Sequence, residues 1–190
     1  PESLEGYMPY VEEVIPAATN PALADIAVTA ISMCGTPGCG KSLAARVISA
    51  MMQWPLVDAN LAQLKGSLVG QSERQVTAML DLAEAIAPCV LRFDELEKGV
   101  GGHASSAQTD SGVTLGIVGI LLNRMQTWKD NGTRVLVVAT TNDEAKLPPE
   151  LTRRFDLRFF VDLPSVEERF EIAGVHLTKL VPLAGPKEAK

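Results

Sequence analysis

Gly35-Thr36-Pro37-Gly38-Cys39-Gly40-Lys41-Ser42 is the stretch from which the rest of the chain can be read. It matches G-x-x-x-x-G-K-[ST], a glycine-rich loop that wraps phosphate groups. Glycines at the turns let successive backbone N–H groups point inward at phosphate oxygens. Lys41 can reach the β- and γ-phosphates, and the Ser42 hydroxyl can ligate Mg²⁺. Thr36, Pro37, Cys39 and Leu43 complete the candidate binding set around Gly35, Gly38, Gly40, Lys41 and Ser42. The flanks agree. Residues 28–34 (VTAISMC) form a strand-like run, and residues 43–52 read as a helix whose N-terminal dipole favours an anion. The stretch implies a bound nucleoside triphosphate.

A chain of 190 residues is long enough for one domain with a full core. With 46% apolar and 21% charged residues its composition is that of an ordinary globular protein. A net charge of −6 argues against holding nucleic acid by bulk electrostatics. Cys34, Cys39 and Cys89 show neither a disulfide framework nor metal-ligand pairing, which points to the cytoplasm or an equivalent reducing compartment such as a plastid stroma. His103 and His176 stand alone, without metal spacing. No secretory signal is visible, and the most apolar stretch, 113–122, is too short and too glycine-rich to span a bilayer, so no membrane partner is expected. Residues 1–27, with Pro9, Pro16 and Pro21, read as an entry segment over the nucleotide site or as the end of a preceding domain; the two stay open.

Downstream of the loop, strand-like and helix-like stretches alternate. Residues 55–59 read as a strand and 61–70 as a loop. Ser72 opens a helix that buries Val76, Met79, Leu80, Ala83 and Ile86 and stops at Pro88. The glycine- and serine-rich residues 99–112 read as mobile or partner-contacting. Residues 113–128 read as a helix with Leu115, Val118, Leu122 and Met125 on one side, and with Gly116 and Gly119 allowing close approach to a sheet. Residues 134–140 (RVLVVAT) have the continuous apolar character of a central parallel strand, and 158–161 form a last strand. This alternation predicts an α/β fold with a doubly wound parallel sheet.

Three groups of polar residues sit at the ends of these elements. Cys89-Val90-Leu91-Arg92-Phe93 runs into Asp94-Glu95, at the sheet edge where ligands bind in open α/β folds. Asp94 would hold Mg²⁺ through water, and Glu95 would polarise the water attacking the γ-phosphate. Asn142, at the mouth of the 134–140 strand, can hydrogen-bond that phosphate or that water, or simply form a turn. Arg153 and Arg154 are either solvated surface or reach a neighbouring subunit's γ-phosphate. Arg92 is unusual in an apolar strand and is expected to emerge toward a neighbour or solvent. Cys39 could be stabilised as a thiolate by the loop and Lys41; the preferred reading is a small residue filling a variable slot.

These motifs together, GTPGCGKS, CVLRFDE, VLVVATTN and LPPELTRRFD, resemble the AAA family of AAA+ ATPases over about residues 28–180. The resemblance implies a P-loop NTPase with a five-stranded parallel sheet of order 5-1-4-3-2 flanked by helices. It also implies ATP and Mg²⁺ as ligands, a ring-shaped homo-oligomer that is usually a hexamer, and hydrolysis coupled to remodelling of a protein. Carried onto this chain, Lys41 and Ser42 bind phosphate and Mg²⁺, Asp94 binds Mg²⁺, Glu95 is the catalytic base, and Asn142 is the first sensor. Arg154 is the arginine finger acting in trans, with Arg153 its companion. LVGQSERQ, LAEAIAPCV and DELEKGVGG are most similar to AAA proteins encoded by cyanobacterial and plastid genomes, whose substrates cannot be carried over.

The chain also departs from the family pattern. Leu68-Val69-Gly70 aligns with the central pore loop, but Leu68 stands where many members present an aromatic, which weakens the expectation of threading. R-R-F-D replaces the usual G-R-F-D, and Leu157 occupies the place of a second finger. The expected organisation is residues 1–27 as entry segment or linker, 28–163 as the nucleotide-binding unit, and 164–190 as the first lid helix with a tail. One helix opened by Ser165, with Glu168 completing a capping box, is all the lid the chain supplies. Adenine would then be less covered, and nucleotide affinity and ring assembly weaker, than with a complete lid. Two other readings compete with the protein-remodelling ring: a nucleic-acid motor or loader, disfavoured by the acidic balance, and an ATP-dependent scaffold with little turnover, disfavoured by Glu95 and Asn142.

Overall fold

The computed structural model describes residues 28–64, 71–100 and 108–180. The pore-loop positions Leu68, Val69 and Gly70 lie outside the described residues, as do 1–27 and 181–190. Strand β1 (Ala30–Gly35) leads through the glycine-rich loop into α1 (Lys41–Met52), then β2 (Leu56–Ala59) and a single turn α2 (Leu61–Leu64). The long helix α3 (Gln71–Ala85) precedes β3 (Cys89–Phe93), which runs into the short α4 (Leu96–Val100). Helix α5 (Gln108–Asn131), β4 (Val135–Thr141), a 3₁₀ turn at Glu144–Lys146, α6 (Pro149–Thr152), β5 (Leu157–Val161) and α7 (Val166–Leu180) complete the order.

The five strands form one parallel sheet in the order β2-β3-β4-β1-β5, the expected sequence read from the other edge. Strict side-chain alternation divides the core in two. Val90, Leu136, Val138, Ile31 and Met33 face α1 and pack on Ala44, Ala45, Val47 and Ile48. Leu91, Phe93, Val135, Val137 and Ala139 face the other way, onto Val76, Leu80, Ile117, Leu121 and Trp128. Covered on both faces, β3 and β4 need no polar alternation, and every residue of each is buried.

Several local expectations change. Residues 61–64 are helical, and the glycine-rich stretch after Glu95 contributes Gly99 to α4 and residues from Gln108 onward to α5. The buried stripe of α5 is Ile117, Val118, Leu121, Met125 and Trp128, whereas Leu115 is 72% exposed. Gly116 serves close approach to a helix, not to the sheet: a Cβ there would come within 2.0 Å of Glu73 Oε1 on α3. Ile86 is exposed, because α3 ends one residue before it. Arg92 is buried rather than projecting: its Nη1 donates to the Ser42 carbonyl at 2.9 Å. Its Nε lies 2.6 Å from Asp58 Oδ1 on β2 as an ion pair, without an acceptor in line with the N–H. At the last helix, Ser165 N–H donates to Glu168 Oε2 at 2.6 Å and Glu168 N–H to Ser165 Oγ at 3.2 Å, a complete capping box.

Candidate nucleotide site

Because β3, β4 and β1 are parallel neighbours, the segments leaving their carboxyl ends meet at one edge. The glycine-rich loop follows β1, Asp94 and Glu95 follow β3, and Asn142 follows β4. Gly35 pairs with Val161 so closely that a Cβ would lie 2.1 Å from the Val161 carbonyl oxygen. The loop then turns through Gly38 (φ +84°) and Gly40 (φ +93°), a region that side chains rarely adopt. No side chain caps α1 at Gly40, which leaves first-turn N–H groups for an anion.

Lys41 is 7% exposed, and its ammonium lies over its own loop. It donates to the carbonyls of Gly35 (2.7 Å) and Thr36 (2.8 Å), to Asn142 Oδ1 (3.0 Å) and, longer, to Cys39 Sγ (3.7 Å). None of these acceptors carries a formal charge. An entering phosphate would offer the ammonium a stronger, charge-assisted partner. Cys39 is itself buried and packs with the α1-side core.

Asp94 sits opposite, its Oδ1 accepting from Ser42 Oγ at 2.7 Å and from Thr140 Oγ1 at 2.6 Å. Burial works against its charge, but the bonds from Thr140 and Ser42, with Arg92 and Lys41 nearby, outweigh burial and hold its carboxyl below the usual aspartate range. Thr140 does two things, since its Oγ1 also accepts the Glu95 N–H at 3.0 Å. That bond helps fix Glu95, a non-glycine residue held at φ +49°. Thr140 had no role assigned from sequence. Its visible signal is a polar residue near the end of an apolar strand, two positions before Asn142.

The Glu95 carboxylate is held from two sides, by Lys98 Nζ at 2.6 Å from Oε2 and by Asn142 Nδ2 at 3.3 Å from Oε1. Asn142 also bonds Glu97, which is buried on α4. Lys41, Ser42, Asp94, Glu95 and Asn142 therefore come together at one edge.

Arg153 and Arg154 do not join them. They precede β5, whose first residue pairs with Ile31, so they lie at the amino edge of the sheet. The six residues of β1 separate the two edges, roughly 20 Å at strand rise. Arg154 Nη1 donates to Gln126 Oε1 on α5. Both arginines line a cavity of about 190 Å³, together with Gln126, Lys129 and Asp156. Asp156 anchors this corner by accepting from Thr29 N–H (2.8 Å), Thr29 Oγ1 (2.9 Å), Ala30 N–H (3.1 Å) and Lys129 Nζ (2.7 Å).

A glycine-rich loop between a strand and a helix, with facing acids at the carboxyl end of a strand one removed in the same parallel sheet, is a P-loop NTPase arrangement. The family model described as "ATPase family associated with various cellular activities (AAA)" matches residues 31–163. The chain belongs to the AAA ATPase family. It is 41% identical over 151 residues to the uncharacterized AAA domain-containing protein ycf46 of Guillardia theta, covering 78% of this chain and 29% of that protein. It is 34% identical over 159 residues to the putative ribosome biogenesis ATPase nvl of Dictyostelium discoideum, covering 80% of this chain and 18% of that one. To the katanin p60 ATPase-containing subunit A1 of Arabidopsis thaliana it is 30% identical over 154 residues, covering 77% and 29%. This AAA chain thus spans less than a third of the relatives it matches. Among the described residues no helix is long and apolar enough to cross a membrane.

Proposed function

We propose that this AAA domain binds ATP with Mg²⁺ at the carboxyl edge of its sheet and hydrolyses it within a ring of copies, a hexamer in the intact protein, to remodel a protein substrate. One observation supports this best: Lys41, Ser42, Asp94, Glu95 and Asn142 converge at one edge while Arg153 and Arg154 stand at the other. The donor set fits the metal. Ser42 and Asp94 offer hard oxygens at one point, and among the described residues no cluster of three His, Cys, Asp or Glu would cage an ion alone. Mg²⁺ usually takes one or two protein ligands and completes its shell with phosphate and water. When bound, it neutralises developing phosphate charge.

In this reading the loop amides and Lys41 seat the phosphates, Glu95 takes the proton from the attacking water, and Asn142 orients that water. Arg154 of an adjacent copy stabilises charge on the transferring group, with Arg153 beside it. Residues 28–163 are then the nucleotide-binding unit and residues from 164 onward the start of a lid. Helix α7 agrees with that, for Val166, Phe170, Ile172 and Leu177 are all exposed on it. Two relatives carry ATPase in their names, one of them a putative ribosome biogenesis ATPase and the other the katanin p60 ATPase-containing subunit, which favours ATP hydrolysis in the service of a larger assembly.

The test is steady-state ATP turnover over a wide protein concentration range, with Glu95→Gln alongside. Turnover per subunit rises with concentration, and Glu95→Gln lowers it by about 10²–10⁴-fold while still binding ATP. Turnover independent of concentration would remove the trans-acting arginine, and no turnover with ATP bound would remove hydrolysis.

A further inference from the structure

Glu97 has no role in the chemistry above, yet it is 8% exposed beside the site. Burying a carboxylate costs several kcal/mol unless it is well hydrogen-bonded. Both of its bonds go to one residue: Oε1 accepts from Asn142 N–H and from Asn142 Nδ2, each at 3.2 Å. Oε2 has no hydrogen-bond partner among the described residues. A carboxylate only accepts, so it dictates that the NH₂ end of the Asn142 amide faces it. The amide oxygen is thereby turned to Lys41 at 3.0 Å, and the same NH₂ reaches Glu95 Oε1 at 3.3 Å. The reversed amide would set its oxygen against two carboxylates and its NH₂ against an ammonium. Glu97 also has little room to swing. A Cβ at Gly99 would lie 2.4 Å from Leu61 Cβ, so α4 is pressed onto α2.

We infer that Glu97 is a positioning residue, which sets the amide of Asn142 and through it the relation of Lys41 to Glu95. The inference deepens the proposed hydrolysis and rests on it for its kinetic consequence. Its structural consequence stands alone: in the nucleotide-free chain the Asn142 amide has one orientation, imposed by Glu97.

Two measurements decide it. ATP turnover and nucleotide affinity are compared for wild type, Glu97→Ala and Glu97→Gln, and the Asn142 side-chain amide is followed by ¹⁵N NMR without nucleotide. Glu97→Ala is expected to lower kcat about 10–100-fold, as loss of a supporting partner does, with nucleotide Kd changed by less than about threefold. Glu97→Gln keeps an oxygen that can accept the same two N–H bonds, so kcat stays within about fivefold of wild type. In an Asn142→Ala background, Glu97→Ala adds nothing further, because the group it positions is gone. The Asn142 amide signals move in Glu97→Ala and stay in place in Glu97→Gln. Undiminished turnover in Glu97→Ala overturns the inference, and so does a Glu97→Gln enzyme as slow as Glu97→Ala, which would give the charge its own role. A wild-type chain that binds ATP without turnover would end the hydrolysis reading, and the amide signals would still judge Glu97.

Discussion

The two edges of the sheet carry the polar residues of this domain under opposite conditions. At the carboxyl edge the groups are tied to each other: Ser42 and Thr140 to Asp94, Asn142 to Lys41, Glu95 and Glu97. At the amino edge Asp156 is just as densely bonded, but to the start of β1 and to Lys129. Arg153 and Arg154 are exposed beside it. One edge is a site nearly complete within the chain, and the other is a rigid mount presenting cations to whatever lies outside. A domain that needed its arginines on its own nucleotide would not hold them the length of β1 away.

Removing Arg154 is the change that separates the edges most. Arg154→Ala is expected to lower turnover about 10³-fold, as loss of an arginine finger does, and to leave nucleotide affinity unchanged because its own site lies at the far edge. Mixing Arg154→Ala with Glu95→Gln, each inactive alone, restores part of the turnover, since one supplies the arginine and the other the carboxylate. Full turnover in Arg154→Ala would break the comparison. A recovered activity in the mixture would sharpen it.

On the carboxyl edge the next largest effect belongs to Thr140. Thr140→Val keeps the shape and removes one hydroxyl that serves both Asp94 and the Glu95 N–H. Each unmade bond of this kind costs about 1–3 kcal/mol, so kcat falls about 10–100-fold and more Mg²⁺ is needed for half-maximal turnover. A magnesium titration of turnover checks it. An unshifted titration would mean that Ser42 alone fixes Asp94.

Gly35 joins the edge to its scaffold. Gly35→Ala forces a methyl to within 2.1 Å of the Val161 carbonyl, backbone against backbone, with no flexible side chain to give way. Chemical denaturation should show a loss of about 2–3 kcal/mol, at the upper end of overpacking effects. Stability equal to wild type would show that β5 can separate from β1 at low cost.

The same contrast explains what could be read from the sequence. The parallel α/β class and the carboxyl-edge residues were legible because short-range patterns encode them: a loop of fixed spacing, acids closing one apolar strand, an asparagine closing another. The strand order followed only from the resemblance that those motifs carry together. Arg92 misled because charge in a strand suggests exposure, whereas its guanidinium finds Ser42 carbonyl and Asp58 only after β2, β3 and α1 have packed. Leu115 misled because a helix of this length offers more than one apolar stripe, and packing against α3 selects Ile117 and Leu121. Thr140 and Glu97 escaped notice for the same reason. Their meaning is a tertiary contact, and an isolated threonine or glutamate has no spacing to announce it.

The smallest effect is on the amino edge and is read through pH. Burial alone would raise the Asp156 carboxyl, but the bonds from Lys129, Thr29 and Ala30 outweigh it and hold its pKa below the usual aspartate value. A carboxyl with a depressed folded-state pKa stabilises the fold above its unfolded value, about 3.9, and that contribution fades as pH falls through it toward the folded value. Asp156→Asn should therefore cost about 1 kcal/mol at pH 7, a discounted figure for a side chain still 23% exposed in its Lys129 pair. The deficit shrinks as pH drops below about 4, where the unfolded wild-type chain begins to take up the proton that the folded aspartate still resists. Denaturation at pH 7 and at pH 3.5 measures both. A deficit of equal size at the two values would mean that Asp156 holds β1 by shape and neutral bonds alone, and the amino edge would be a mount without an electrostatic anchor.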